Sequence, residues 1–162
     1  MRTFSAALTT ALLITIAGGA AAPAKTSHDG WPKRDGILKI APNSDTSYTG
    51  TSRNDELLGG DGSDTLDGGA GDDVLWGDKN PSGQPATQKD VITGGDGKDW
   101  IYSSHGTNTI DAGPGVDHVK AHFGKGTIDC GPGNDVLWVS HKAKPHYKIR
   151  GCETISFKSL GF

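Results

Sequence analysis

From Gly50 onward an aliphatic residue recurs at every ninth position: Leu57, Leu66 and Leu75, then, after eight extra residues, Ile92, Ile101, Ile110, Val119, Ile128 and Leu137. Written in nines, the chain reads GTSRNDELL, GGDGSDTLD and GGAGDDVLW, an insertion at 77–84, then PATQKDVIT, GGDGKDWIY, SSHGTNTID, AGPGVDHVK, AHFGKGTID and CGPGNDVLW. The sixth residue of each block is usually Asp. A poorly matching block at 139–147 follows, and the register returns at 148–156, with Gly151 fourth, Glu153 sixth and Ile155 eighth. Nothing in this pattern has helical period.

The blocks resemble the haemolysin-type calcium-binding repeat of the RTX family, G-G-x-G-x-D-x-U-x, and GGDGSDTLD and GGDGKDWIY match it at every defined position. The resemblance implies an all-β fold, a right-handed parallel β-roll of about five coils. In each repeat six residues would turn and bind calcium and three would form a strand, two repeats completing a coil. The residues support this chemically. Glycines at the first, second and fourth positions admit backbone conformations closed to other residues and free carbonyls to face an ion, while Asp at the sixth adds a hard anionic oxygen. In the short strand the eighth side chain faces inward and the seventh and ninth face outward. An EF-hand would need a twelve-residue loop between helices, which the chain lacks. One aliphatic side chain per nine residues is little burial for ordering a Gly-rich backbone, so calcium bound only by the folded form is expected to drive folding.

Alternate blocks then stack on the same edge. The first edge carries Asp55, Asp73, Asp99, Asp117 and Asp135 at the sixth position, with Glu153 in line. The second carries Asp64, Asp90, Asn108 and Gly126. The expected calcium ligands are therefore the five first-edge aspartates, with the turn glycines Gly68, Gly69, Gly71, Gly94, Gly95, Gly97, Gly113, Gly115, Gly131 and Gly133. Asp64 and Asp90 join them as weaker second-edge candidates. Cys130 and Cys152 fall in successive first-edge turns and are expected to pair as a covalent end cap. His105, His122 and His141 lie on the second edge, where solvated turn residues are a simpler reading than a shared transition metal.

The outward positions differ between edges. First-edge strands are expected to expose Leu58, Val74, Trp76, Trp100, Tyr102, Val136 and Trp138, a face for an extracellular polysaccharide or partner protein unless Trp31, Ile37, Leu38, Ile40 or the tail around Phe157 and Phe162 folds over it. Second-edge strands present a Thr/Asp ladder.

Charge divides the 162 residues in the same way. Residues 50–138 hold fifteen acidic against six basic side chains, whereas 25–49 and 139–162 together hold nine basic against four acidic. A middle of this sign invites cations and disfavours nucleic acid. Met1-Arg2-Thr3, the apolar stretch 6–17 and the small residues Gly18–Ala22 read as a signal peptide, 1–24, cleaved between Ala20 and Ala24 and too short and diluted to span a membrane. Residues 25–49 are then a cap or linker, 50–138 the repeats, and 139–162 a disulfide-pinned C-terminal cap. The expected protein is secreted, without a transmembrane segment after signal removal. Related toxins leave through an uncleaved C-terminal signal, so this leader departs from their pattern. Enzymes of the family carry separate catalytic modules. Here only short flanks lie outside the repeats and no nucleophile elbow appears, so a non-enzymatic calcium binder is expected.

Overall fold

A computed structural model describes residues 30–78 and 86–158. The expected signal peptide, most of the insertion and Phe162 lie outside the described residues. The described chain winds as a parallel β-solenoid of about six turns with one short 3-10 helix, Lys144–His146. One sheet stacks β1 (Leu38–Ile40), β3 (Glu56–Leu58), β5 (Val74–Trp76), β7 (Trp100–Tyr102), β9 (His118–Ala121), β11 (Val136–Val139) and β13 (Thr154–Ser156) in that order. The other stacks β2 (Ser47–Thr49), β4 (Thr65–Ala70), β6 (Lys89–Asp96), β8 (Thr107–Asp111), β10 (Lys125–Asp129) and β12 (Tyr147–Arg150).

Every pairing is parallel, and the eighth residues of successive coils are direct partners, as in Leu57↔Leu75 and Ile92↔Ile110. All nine eighth-position residues, Leu57 through Leu137, are buried between the sheets, where they form the core with Ala112, Ala121, Val139 and Tyr147. Removing each aliphatic side chain from water stabilises the roll by roughly 1.5–3 kcal/mol.

The solenoid begins a coil earlier than Gly50. Strand β1 pairs with β3 and β2 with β4, each eighteen residues ahead of its partner, so residues 38–49 keep the repeat spacing. Lys39 and Tyr48 stand at the inward positions, and because neither is aliphatic the extra coil is silent in the hydrophobic pattern. The last coil also departs from expectation. Residues 148–150 pair as a strand with Thr127, Ile128 and Asp129 rather than opening a turn. The connection before this strand, between β11 and β12, spans 140–146, and the turn after it spans 151–153, only three residues. Residues have moved from one turn to the other, which leaves the eighteen-residue coil intact and returns Ile155 opposite Leu137.

The aromatic face is more closed than its composition suggests. Val74 and Tyr102 are buried, and Leu58, Trp76, Trp100, Val136 and Trp138 are each half-buried. Trp31 folds back over it, donating its indole N–H to the Tyr102 hydroxyl at 2.8 Å and packing edge-on against Trp76 at 5.9 Å. Phe157 goes elsewhere and stacks on His141. The Thr/Asp face stays open, with Thr65, Val91, Thr109, Asp111 and Thr127 exposed.

Candidate metal-binding edge

The five turns that lead into the seven-stranded sheet, 50–55, 68–73, 94–99, 112–117 and 130–135, lie one above another. Their second positions in the middle coils are held by Gly69, Gly95, Gly113 and Gly131 at φ of +97°, +104°, +92° and +86°, a region that strains any side chain. Gly97, Gly115 and Gly133 bridge one another in the parallel sense, with Gly71 at the same repeat position one coil earlier. First positions approach the neighbouring coil closely. A Cβ on Gly94 would collide with the Ala112 carbonyl and with Oδ2 of Asp99 at 2.5 Å, and one on Gly68 would strike the Gly94 carbonyl and Oδ2 of Asp73. Each missing Cβ therefore leaves open a place where a carboxylate oxygen of one coil and a carbonyl of the next converge.

The sixth-position side chains form a ladder through the inside of this edge. The backbone N–H of Asp55 donates to Oδ1 of Asp73 at 2.7 Å, that of Asp73 to Asp99 at 2.9 Å, and that of Asp99 to Asp117 at 2.8 Å. The series continues from Asp117 to Asp135 at 2.8 Å and from Asp135 to Oε2 of Glu153 at 2.9 Å. One oxygen of each aspartate is thus used to hold the coils in register. The other is not: Oδ2 of Asp73, Asp99, Asp117 and Asp135 is buried without a hydrogen-bond partner. Burial raises the Asp73 and Asp117 carboxyls to about 7 and Asp99 to about 8, aided by the charges of neighbouring aspartates and opposed by the backbone N–H bonds. Burial, with Glu153 nearby, raises Asp135 as well. Four desolvated anionic oxygens in a row, each short of a partner, call for a cation.

The other predicted ligands are differently placed. Asp55 accepts Ile37 N–H on Oδ1 and Thr51 N–H on Oδ2, each at 2.5 Å. Asp64 accepts Thr46 N–H at 3.0 Å and Gly60 N–H at 2.9 Å, one on each oxygen. Asp90 accepts Asp64 N–H at 2.9 Å and the Ser104 hydroxyl. The second edge thus sets protein donors on both oxygens of Asp64 and of Asp90. Its network continues through Asn108 to the Tyr147 hydroxyl at 3.1 Å, and through Asp78, whose two oxygens each accept Gln88 Nε2 at 2.6 Å. Ser104, Asp78 and Gln88 escaped the sequence reading because Ser104 and Gln88 stand at glycine positions of the repeat and Asp78 sits in the insertion.

The disulfide forms as expected, joining Cys130 and Cys152 across successive first-edge turns with Cα atoms 5.1 Å apart. Among the described residues no three His, Cys, Asp or Glu side chains converge as a metal-binding group. His105 stacks on Phe123 and His141 on Phe157. An ion on the first edge must accordingly combine single carboxylates with backbone carbonyls. That donor set, all hard oxygen, suits calcium and not a thiophilic or imidazole-seeking metal.

No curated protein and no solved structure matches the chain. A family model of the RTX calcium-binding nonapeptide repeat does match, in four copies, over residues 49–80 and 87–119. These repeats bind Ca2+, and the matched segments contain Asp73, Asp99 and Asp117 with their open oxygens. The chain thus contains RTX calcium-binding nonapeptide repeats over residues 49–80 and 87–119, and the same solenoid winding continues on either side of them.

Proposed function

We propose that the protein is exported and that calcium folds it, the ions seating along the first edge on Asp73, Asp99, Asp117 and Asp135 with carbonyls of the stacked turns. The observation that carries this reading is the row of four buried Oδ2 atoms without partners, repeated once per coil on one edge and absent from Asp55, Asp64 and Asp90. Bound calcium would supply positive charge where burial now penalises ionised carboxylates, so ion binding and coil stacking reinforce each other. Asp64 and Asp90 serve as hydrogen-bond acceptors that hold an ion-free edge. The product is a rigid extracellular rod with a structural or interaction role. RTX repeats are typically extracellular and structural rather than catalytic, and among the described residues no helix is long and apolar enough to cross a membrane.

The test is equilibrium dialysis and far-UV circular dichroism on the chain lacking residues 1–24, with and without a chelator. More than one calcium per chain should be retained, and chelation should collapse the β-sheet signal and protease resistance. A spectrum indifferent to chelation, with no calcium retained, would remove the proposal.

A further inference from the structure

At the C-terminal end of the second edge the long connection 140–146 leaves a cleft of about 660 Å3. It is lined by His105, His122, Phe123, Lys142, His146 and Phe157 among others, a volume within the usual range for small-ligand sites. The lengthened turn makes the concavity. It is anchored from below by the buried Tyr147, whose hydroxyl donates to the Phe123 carbonyl at 2.8 Å, and from the side by Ser140, whose hydroxyl donates to the His122 carbonyl at 2.9 Å.

Two aromatic platforms face the opening. Phe123 stacks on His105 at 4.6 Å and Phe157 on His141 at 4.1 Å, yet the two phenyl rings remain 50% and 41% exposed, an unusual cost for side chains with no role at a surface. The charge around them has one sign. None of the described lining residues is a carboxylate, Lys142 lies in the wall, and Lys144 sits over the Phe157 ring at 5.1 Å. Residues 139–162 carry five basic side chains and one acidic, in a protein of net charge −3. The cleft is a cationic, aromatic pocket at the opposite edge from the aspartate ladder.

We propose that this cleft binds an anionic sugar, a uronate-bearing segment of an extracellular glycan. The apolar face of a pyranose ring would lie on Phe123, with Phe157 holding Lys144 in place, and carboxylates would reach Lys142, Lys144 and His146. Phenyl platforms suit the C–H faces of a sugar, and the one-signed rim selects an acidic sugar over a neutral one.

The experiment is calorimetric titration of the calcium-loaded protein with a hyaluronan hexasaccharide, against neutral chitohexaose, with circular dichroism confirming that each variant folds. Saturable binding of the acidic oligomer is expected, at least tenfold tighter than the neutral one. The double variant Lys142→Ala/Lys144→Ala should weaken it about tenfold, the effect of losing two partly solvated charge contacts. Phe123→Ala should weaken it to a similar degree, and Trp100→Ala should leave it unchanged. Equal affinity for both oligomers, no binding, retention of affinity in the folded lysine or Phe123 variants, or loss of it in Trp100→Ala overturns the assignment.

Discussion

Replacing Asp99 by Asn should act with opposite sign in the presence and absence of calcium. Asn keeps an Oδ1 able to accept the Asp73 N–H, so the register bond survives. What it removes is the charge on a fully buried group whose pKa burial has raised from 3.8 to about 8. Near pH 7.5 that shift is a penalty on the calcium-free fold with a ceiling of about 5 kcal/mol, at 1.36 kcal/mol per unit. Because the charges of Asp117 and Asp73 contribute to the shift and would readjust, recovery of roughly 2–3 kcal/mol is the working expectation. With calcium the same change deletes an anionic ligand and puts an amide N–H2 where the open oxygen was. The calcium midpoint should rise at least tenfold. Urea titrations followed by circular dichroism, in chelator and in millimolar calcium, read both limbs. If Asp99→Asn weakens or strengthens both forms alike, the claim that this carboxylate is a cation ligand burdened by its own charge is wrong.

Acidification should partly substitute for calcium. Folding raises the Asp73, Asp99 and Asp117 carboxyls to between about 7 and 8, so the calcium-free fold keeps protons that the unfolded chain has released, and its stability grows as pH falls through 8 towards 4. His118, held down to about 4 by burial and Lys98, works against this below 6.5 and should offset one group's share; circular dichroism of the chelated protein from pH 8 to 5 tests the net gain in order. Gly94→Ala should cost calcium affinity at least tenfold, since its Cβ would occupy the space shared by the Ala112 carbonyl and Asp99 Oδ2, as titration with a calcium indicator would show. Reducing Cys130–Cys152, which lie 22 residues apart, should destabilise by about 3 kcal/mol and loosen residues 139–158 first, visible as faster hydrogen exchange there. Ile101→Ala, in the middle of the core, should cost about 2–5 kcal/mol in calcium without changing the number of ions bound.

The sequence made the roll legible because a solenoid repeats its environment. Each coil asks the same questions of its eighth, sixth and first residues, and Leu57 through Leu137 answer the first of them identically. Recognition ended where the answer changed while the spacing did not, at Lys39 and Tyr48 in the opening coil. It also slipped at residues 148–150, where the eighteen-residue sum was conserved but its division between turns was not. The first-edge aspartates were legible as a set; that Asp55 is satisfied by Ile37 and Thr51 while Asp73 is not depends on backbone donors no side-chain pattern reports. Trp31 was one of several residues that could fold over the aromatic face, and the path of the chain selects it by bringing it to Tyr102, while Phe157 goes to His141.

Lys39 has a meaning beyond its own coil. At the inward position where every later coil to Leu137 carries an aliphatic residue, it lifts its ammonium group over the Tyr48 ring, 5.8 Å from the centroid, while Leu38 and Ile40 beside it stay 42% and 53% exposed. A parallel roll has no intrinsic length, and its bare terminal strand is a template for another copy. Lys39, solvent-exposed at the inward register of β1, would set an unpaired charge against the aliphatic row of any second copy that stacked on this end.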